Sequence, residues 1–135
     1  MDRFVLTPGQ SIAVVGLSAK PDRASFDVAR VMQQAGFRIY GVNPQYAGQV
    51  ILGERCVASL AELAELAKPI DIVNCFRRSD DMPEVATAAV EMRPLPKVLW
   101  MQLGVANGDA RRIAEAGGLQ VIENRCIKIA YLNQA

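Results

Sequence analysis

Apolar residues in this chain fall into short unbroken runs, separated by stretches where they recur at every third or fourth place. Ile12-Ala13-Val14-Val15 is such a run, suited to a strand buried on both faces, and it breaks at Gly16. After Ser25 the spacing turns helical, with Val28, Val31, Met32 and Ala35 on one side and Gly36 placed to cap the C-terminus. Phe37 to Val42 reads as a second strand, closed by Asn43-Pro44. Gln45 to Val57 has neither period and is expected to be irregular, with a short extended piece.

Ser59-Leu60-Ala61-Glu62 has the spacing of a capping box and predicts a short helix to about Ala67, stopped by Pro69. Asp71 to Phe76 is a third strand. A helix opens around Asp80, Asp81, Pro83 and Glu84 and continues to Met92, where Pro94 and Pro96 end it. Lys97 to Met101 is a fourth strand. Asn107 caps a helix to Ala116, ended by Gly117-Gly118; Leu119 to Glu123 is a fifth strand, and Cys126 to Leu132 adds a last turn or short helix.

Strands alternating with helices predict a single α/β domain of Rossmann-like type. The expectation is a doubly wound, parallel five-stranded sheet in a three-layer αβα stack with strand order 3-2-1-4-5. Residues 1–11, with a turn at Pro8-Gly9, read as a lead-in to a domain spanning 12–135.

Ligands on such sheets bind beyond the C-terminal strand ends, which directs attention to the loops there. Eight residues separate Gly16 from Ser25, more than a strand-to-helix connection usually needs. They include Ser18, Lys20 and Arg23, and they lead into a helix N-terminus, which favours anions. Ser18 and Pro21 stand where the second and third glycines of a dinucleotide fingerprint belong, and Asn43 stands where an NAD site carries an acid. NAD and FAD are therefore disfavoured, while NADP stays open. The other strand ends bring Phe76-Arg77-Arg78, Trp100-Met101-Gln102 and Asn124-Arg125-Cys126 to the same edge. Arginines suit phosphate and aromatics suit a base or an apolar arm, although Trp100 alone would read as packing.

Composition narrows the chemistry further. With 51% hydrophobic residues, 21% charged and a formal net charge of +1, a general nucleic-acid binder is excluded and any anion site must be local. No apolar run approaches a membrane span and no signal-peptide pattern opens the chain, so the expected compartment is cytoplasmic. The complete absence of histidine removes Ser-His-Asp and Cys-His catalysis and His-ligated zinc; Cys56, Cys75 and Cys126 lack C-x-x-C spacing and read as reduced thiols. No metal site is expected.

Three segments, VVGLSAKPDRAS, VNPQYAGQVILGERCVASL, and VLWMQLGV with ENRCIK, together resemble the small single-domain CoA-binding proteins. Their domain is similar to the CoA-binding domain of the succinyl-CoA synthetase alpha subunit. The resemblance spans roughly residues 10 to 130 and implies binding of CoA or an acyl-CoA. By position it makes Gly16, Leu17, Ser18, Lys20 and Arg23, with Ser25 opening the helix, the diphosphate loop. It sets Asn43, Pro44, Tyr46 and Ala47 by the adenosine, Phe76 and Arg77 against the nucleotide, and Trp100, Met101 and Gln102 beside the pantetheine arm. The synthetase works through a histidine that this chain lacks, so that activity does not carry over.

The leading expectation is a non-catalytic CoA or acyl-CoA carrier, sensor or regulatory module. Its competitors are an NADP-type oxidoreductase, a cysteine-dependent acyl-transfer protein using Cys75 or Cys126, and a scaffold without a ligand. Neither nucleic acid nor membrane is expected as a partner. A homodimer is open, with no surface selected.

Overall fold

The computed structural model describes residues 4–134; residues 1–3 of the expected lead-in and residue 135 lie outside the described residues. β1 (Ser11–Val15) is buried at every position, and its two parities serve two different cores. Ile12 and Val14 pack with Val28, Ala29 and Met32 of α1 (Ala24–Gln34), while Ala13 and Val15 face a core built around Ala86, Ala89, Ala110 and Ala114. A strand apolar at both parities can be satisfied only between two layers of helices, which is the three-layer arrangement found.

β1 is flanked by β2 (Arg38–Val42) and β5 (Ile72–Cys75), and β6 (Val98–Met101) and β7 (Gln120–Ile122) follow outward; all pairs are parallel. Residues of α1 and α5 (Ile127–Leu132) join the first core. Residues of α2 (Leu60–Glu65), α3 (Met82–Val90) and α4 (Gly108–Ala116) join the second. The fold is thus a doubly wound Rossmann-like α/β domain, with one correction to the expected order. The third of the five sheet strands lies beside the first, not outside the second, so the order is 2-1-3-4-5.

The reason is visible at the edge of β2. After Asn43 the chain turns back through the hairpin of β3 (Val50–Ile51) and β4 (Glu54–Arg55), and Val57 bridges Val42. Gly41 O accepts from Val57 N–H at 3.1 Å, and Val57 O accepts from Asn43 N–H at 2.8 Å. That edge of β2 is therefore not free to pair with β5. β5 instead pairs Ile72 with Ile12, and Asp71 just before it accepts from the Ser11 N–H at 2.9 Å. The chain therefore winds one way from β1 to β2 and the other way from β1 across β5. The switch point falls between β1 and β5, where a doubly wound sheet opens a ligand crevice.

Helix ends form as the spacing predicts. Gly36, at φ +110°, ends α1 in a Schellman motif: Gly36 N–H donates to Gln33 O at 2.9 Å and Phe37 N–H to Met32 O at 3.1 Å. Ser59 Oγ accepts from Glu62 N–H at 3.2 Å; the Glu62 carboxylate reaches back one residue further than the simple box, to the Ala58 N–H. Asn107 Oδ1 accepts from Ala110 N–H at 2.9 Å. The described part of the lead-in is tied down too, because Gln134 exchanges two hydrogen bonds with the backbone of buried Leu6.

Candidate functional site

The cleft begins at Gly16. Its N–H donates to Val42 O at 2.8 Å, joining the ends of β1 and β2, and its φ of +93° is left-handed. A side chain there would put Cβ 2.5 Å from Phe76 O, so the ends of β1 and β5 approach this closely only over glycine. Leu17 then turns inward and is fully buried. Its carbonyl accepts from Asn43 Nδ2 at 3.0 Å, and Asn43 Oδ1 accepts from Gln45 N–H at 3.0 Å. Asn43 thereby ties the loop after β1 to the short 3-10 turn Pro44–Tyr46 after β2; its amide is committed to holding the cleft's shape.

The loop from Ser18 to Arg23 is folded by its own hydroxyls. Ser25 Oγ, buried at the start of α1, accepts from Ser18 N–H, and Ser18 Oγ accepts from Lys20 N–H, each at 3.0 Å. Arg23 occupies the N-cap of α1 without a side-chain cap bond. The first-turn N–H groups of the helix thus lack an intrahelical partner and carry the positive end of its dipole. Ala24 and Ser25 face a cleft of about 330 Å³ whose other walls include Gly16, Ser18, Lys20, Arg23, Asn43, Tyr46 and Phe76. No carboxylate lines it, and neither Lys20 nor Arg23 has an ion-pair partner among the described residues. Two unpaired cations and a helix N-terminus around a hollow with no carboxylate in its wall make it locally electropositive.

Several expected residues stand elsewhere. Arg77 lies at the rear of the cleft, near enough that its Cδ would sit 3.4 Å from a Cβ on Gly16. Its guanidinium pairs with Asp81 at 3.4 Å, and it shares a separate hollow with Pro44 and Glu84. Ala47 is exposed beside the 3-10 turn and does not border the cleft. Trp100 and Met101 are not brought to it either: both are core side chains, and the Trp100 indole N–H donates to Arg125 O at 2.7 Å. Gln102 borders an adjoining hollow that reaches the cleft at Ala24 and Phe76. Cys126, expected at the fifth strand's end, borders the adjoining hollow; Gln45 on the cleft, and Leu103, Lys128 and Ile129 on that hollow, are not marked by the sequence. The signal for Lys128 and Ile129 lies in the helical spacing of the tail after β7, which marks a terminal helix without showing that it walls a hollow.

The thiols are unequal. Cys75 is fully buried, and burial pushes its pKa far up, with the Arg77 charge opposing only in part. Burial also raises that of Cys56, against a weaker opposing bond to the Asn43 backbone. Neither is poised as a thiolate nucleophile. Cys126 alone is partly accessible. Beside it, hydrogen bonds from Arg30 and then Lys128 hold the Asp27 carboxyl below its usual range, at 2.8 and 3.1 Å. Among the described residues no cluster of His, Cys, Asp or Glu is gathered to hold a metal ion, and no helix is long and apolar enough to cross a membrane.

The fold is that of a Rossmann-like α/β domain. Residues 10–131 match the CoA binding domain family, and the chain belongs to that family. It is 42% identical over 127 residues to the uncharacterized protein YneT of Bacillus subtilis (strain 168), covering 94% of this chain and 89% of that one. A solved structure from Thermus thermophilus superposes with a TM-score of 0.83 at 28% identity, covering 91% of this chain and 88% of that one. A hypothetical protein from Pyrococcus horikoshii OT3 gives 0.79 at 30% identity, over 90% and 80%.

Proposed function

We propose that the cleft after β1, β2 and β5 binds CoA or an acyl-CoA, and that the protein acts as a non-catalytic carrier or sensor of that ligand. The observation that carries this reading is the charge of the cleft: Lys20 and Arg23 unpaired, at the N-terminus of α1, with no carboxylate in the wall. CoA brings a diphosphate and a 3′-phosphate, so it asks for more cation than NAD and for no acid to grip a ribose hydroxyl. Lys20, Arg23 and the first-turn N–H groups of α1 would hold the phosphates, while Tyr46 and Phe76 offer faces to the adenine. When bound, CoA supplies a thiol that carries acyl groups as thioesters. The protein's share is to bind and orient that arm, since the two deepest thiols are sealed in the core and no histidine is present.

The test is thermal unfolding with CoA, acetyl-CoA, NAD and NADP at matched concentration, for the native chain and a Lys20→Ala/Arg23→Ala variant. A ligand at about a hundredfold over its Kd adds about 2.7 kcal/mol to stability, a rise on the order of 10 °C for a domain of this size. The expected result is a rise with the CoA species and at least about a tenfold weaker CoA affinity in the double variant, whose unliganded midpoint is unchanged. A rise with NADP alone, or an unaltered CoA affinity in the variant, overturns the assignment.

A further inference from the structure

Past Phe76 the cleft does not close. Ala24 and Phe76 also border a second hollow, of about 320 Å³, whose walls include Val28, Gln102, Leu103, Cys126 and Ile129. Leu103, Cys126 and Ile129 in turn border a third, of about 460 Å³, which continues along α5 past Ala130. The surface thus changes along one track from cationic and polar to largely apolar. Leu103 and Ile129 are 65% and 52% exposed, and both stand where the second and third hollows meet. Adjacent large apolar side chains left in water at the mouth of a connected cleft do nothing for the fold; they suit an apolar ligand.

Gln102 is an independent sign of a ligand in the second hollow. It is only 6% exposed, and its Oε1 accepts from the Ile127 N–H and from Asn74 Nδ2, each at 3.2 Å. A main-chain N–H can only donate, which fixes the orientation of the carboxamide. Its Nε2 is left with no acceptor among the described residues, and it is not sealed off in the core, so it opens to the hollow that Gln102 lines. A donor held this way between apolar walls is a seat for a carbonyl oxygen. Charge in the hollow is already spent, because Asp27 accepts from both Lys128 and Arg30. Within this second hollow a carboxylate finds no unpaired cation; Arg125 borders the third.

We propose, resting on the CoA reading above, that the ligand is a CoA thioester of a medium-length, unsubstituted apolar acyl chain. Gln102 Nε2 donates to a carbonyl of the pantetheine arm or thioester, and the acyl chain lies along Leu103, Cys126 and Ile129 into the groove beside α5. Two methylenes taken out of water are worth about tenfold in Kd, so octanoyl-CoA should bind at least about tenfold tighter than acetyl-CoA.

Calorimetric titration with CoA, acetyl-CoA, succinyl-CoA, octanoyl-CoA and free octanoate tests this on the native chain and on Ile129→Asp, a change at an exposed position. The expected result is preference for octanoyl-CoA over acetyl- and succinyl-CoA, lost in Ile129→Asp while CoA itself binds that variant as before. Equal affinity for CoA, acetyl-CoA and octanoyl-CoA overturns the acyl track and leaves the CoA site standing. A gain with succinyl-CoA in place of octanoyl-CoA overturns it, and so does free octanoate binding as tightly as octanoyl-CoA. Failure of every CoA species to bind overturns this proposal together with the reading it rests on.

Discussion

At Gly16 a single missing Cβ decides whether the cleft exists. The residue combines a left-handed backbone with a separation of 2.5 Å between a built Cβ and Phe76 O, and the obstructing atom is backbone that no rotamer change can move. Replacing it by alanine sets the strain of a positive φ on top of that overlap. Gly16→Ala is therefore expected to cost about 1–3 kcal/mol in a urea unfolding curve and to weaken CoA binding as the ends of β1 and β5 separate. Unchanged stability would mean that the β1–β5 approach is not fixed by this residue. The contrast with Lys20 and Arg23 is useful, since both are exposed and unpaired, so removing them tests the ligand without testing the fold.

Elements hold their places through side chains that serve two neighbours at once. Asn107 caps α4 through Oδ1, and its Nδ2 donates to Ser79 O at 3.0 Å in the turn before α3; the Ala106 N–H donates to Ser79 Oγ at 3.1 Å. Asn107→Ala is expected to cost about 1–2 kcal/mol of unfolding free energy, the upper part of the range for a lost N-cap, because the tie to Ser79 goes with it. Asn107→Asp keeps the acceptor and should recover the larger share. The cap, the capping box at Ser59 and the Gly36 stop were all readable because each is a local pattern with a local partner. The strand order was not: it depends on the edge of β2 being occupied by Val57, a pairing fifteen or more residues along the chain from β2's own positions. The hairpin behind that pairing turns at Leu52 and Gly53, both at positive φ. Leucine is a poor signal for such a turn, and its carbonyl is held in place by a distant acceptance from Gln33 Nε2 at 2.6 Å.

For the molecule as a whole, the place of the cleft after β1, β2 and β5 was legible because strand ends in a parallel sheet gather on one edge whatever the exact order. The apolar track was not, since it needs α5 folded back beside the loop after β6. Trp100 was assigned to the edge from its place at a strand end, whereas strand parity sends its ring into the core with Ile122 and Ile127. That same two-sided core has a consequence for pH. Cys75 lies between strands at full burial and keeps its proton far above the ordinary thiol value of 9.0, and Cys56 is shifted the same way. In the unfolded chain both thiols ionise near that ordinary value. Below it, folded and unfolded chains are alike protonated and nothing is lost. Above it, the unfolded chain releases protons that the folded chain retains until its own raised value is passed, so over that window a thiol such as Cys75 costs up to about 1.4 kcal/mol of stability per pH unit. Tyrosine and lysine titrate nearby, so the informative quantity is a difference between variants. Chemical unfolding at pH 8, 9 and 10 should show a shallower loss for Cys75→Ala than for the native chain, whatever the variant's stability at pH 8. Parallel losses in the two proteins would mean that the Cys75 thiol ionises equally well in the folded state, and that the core around β1 and β5 admits water.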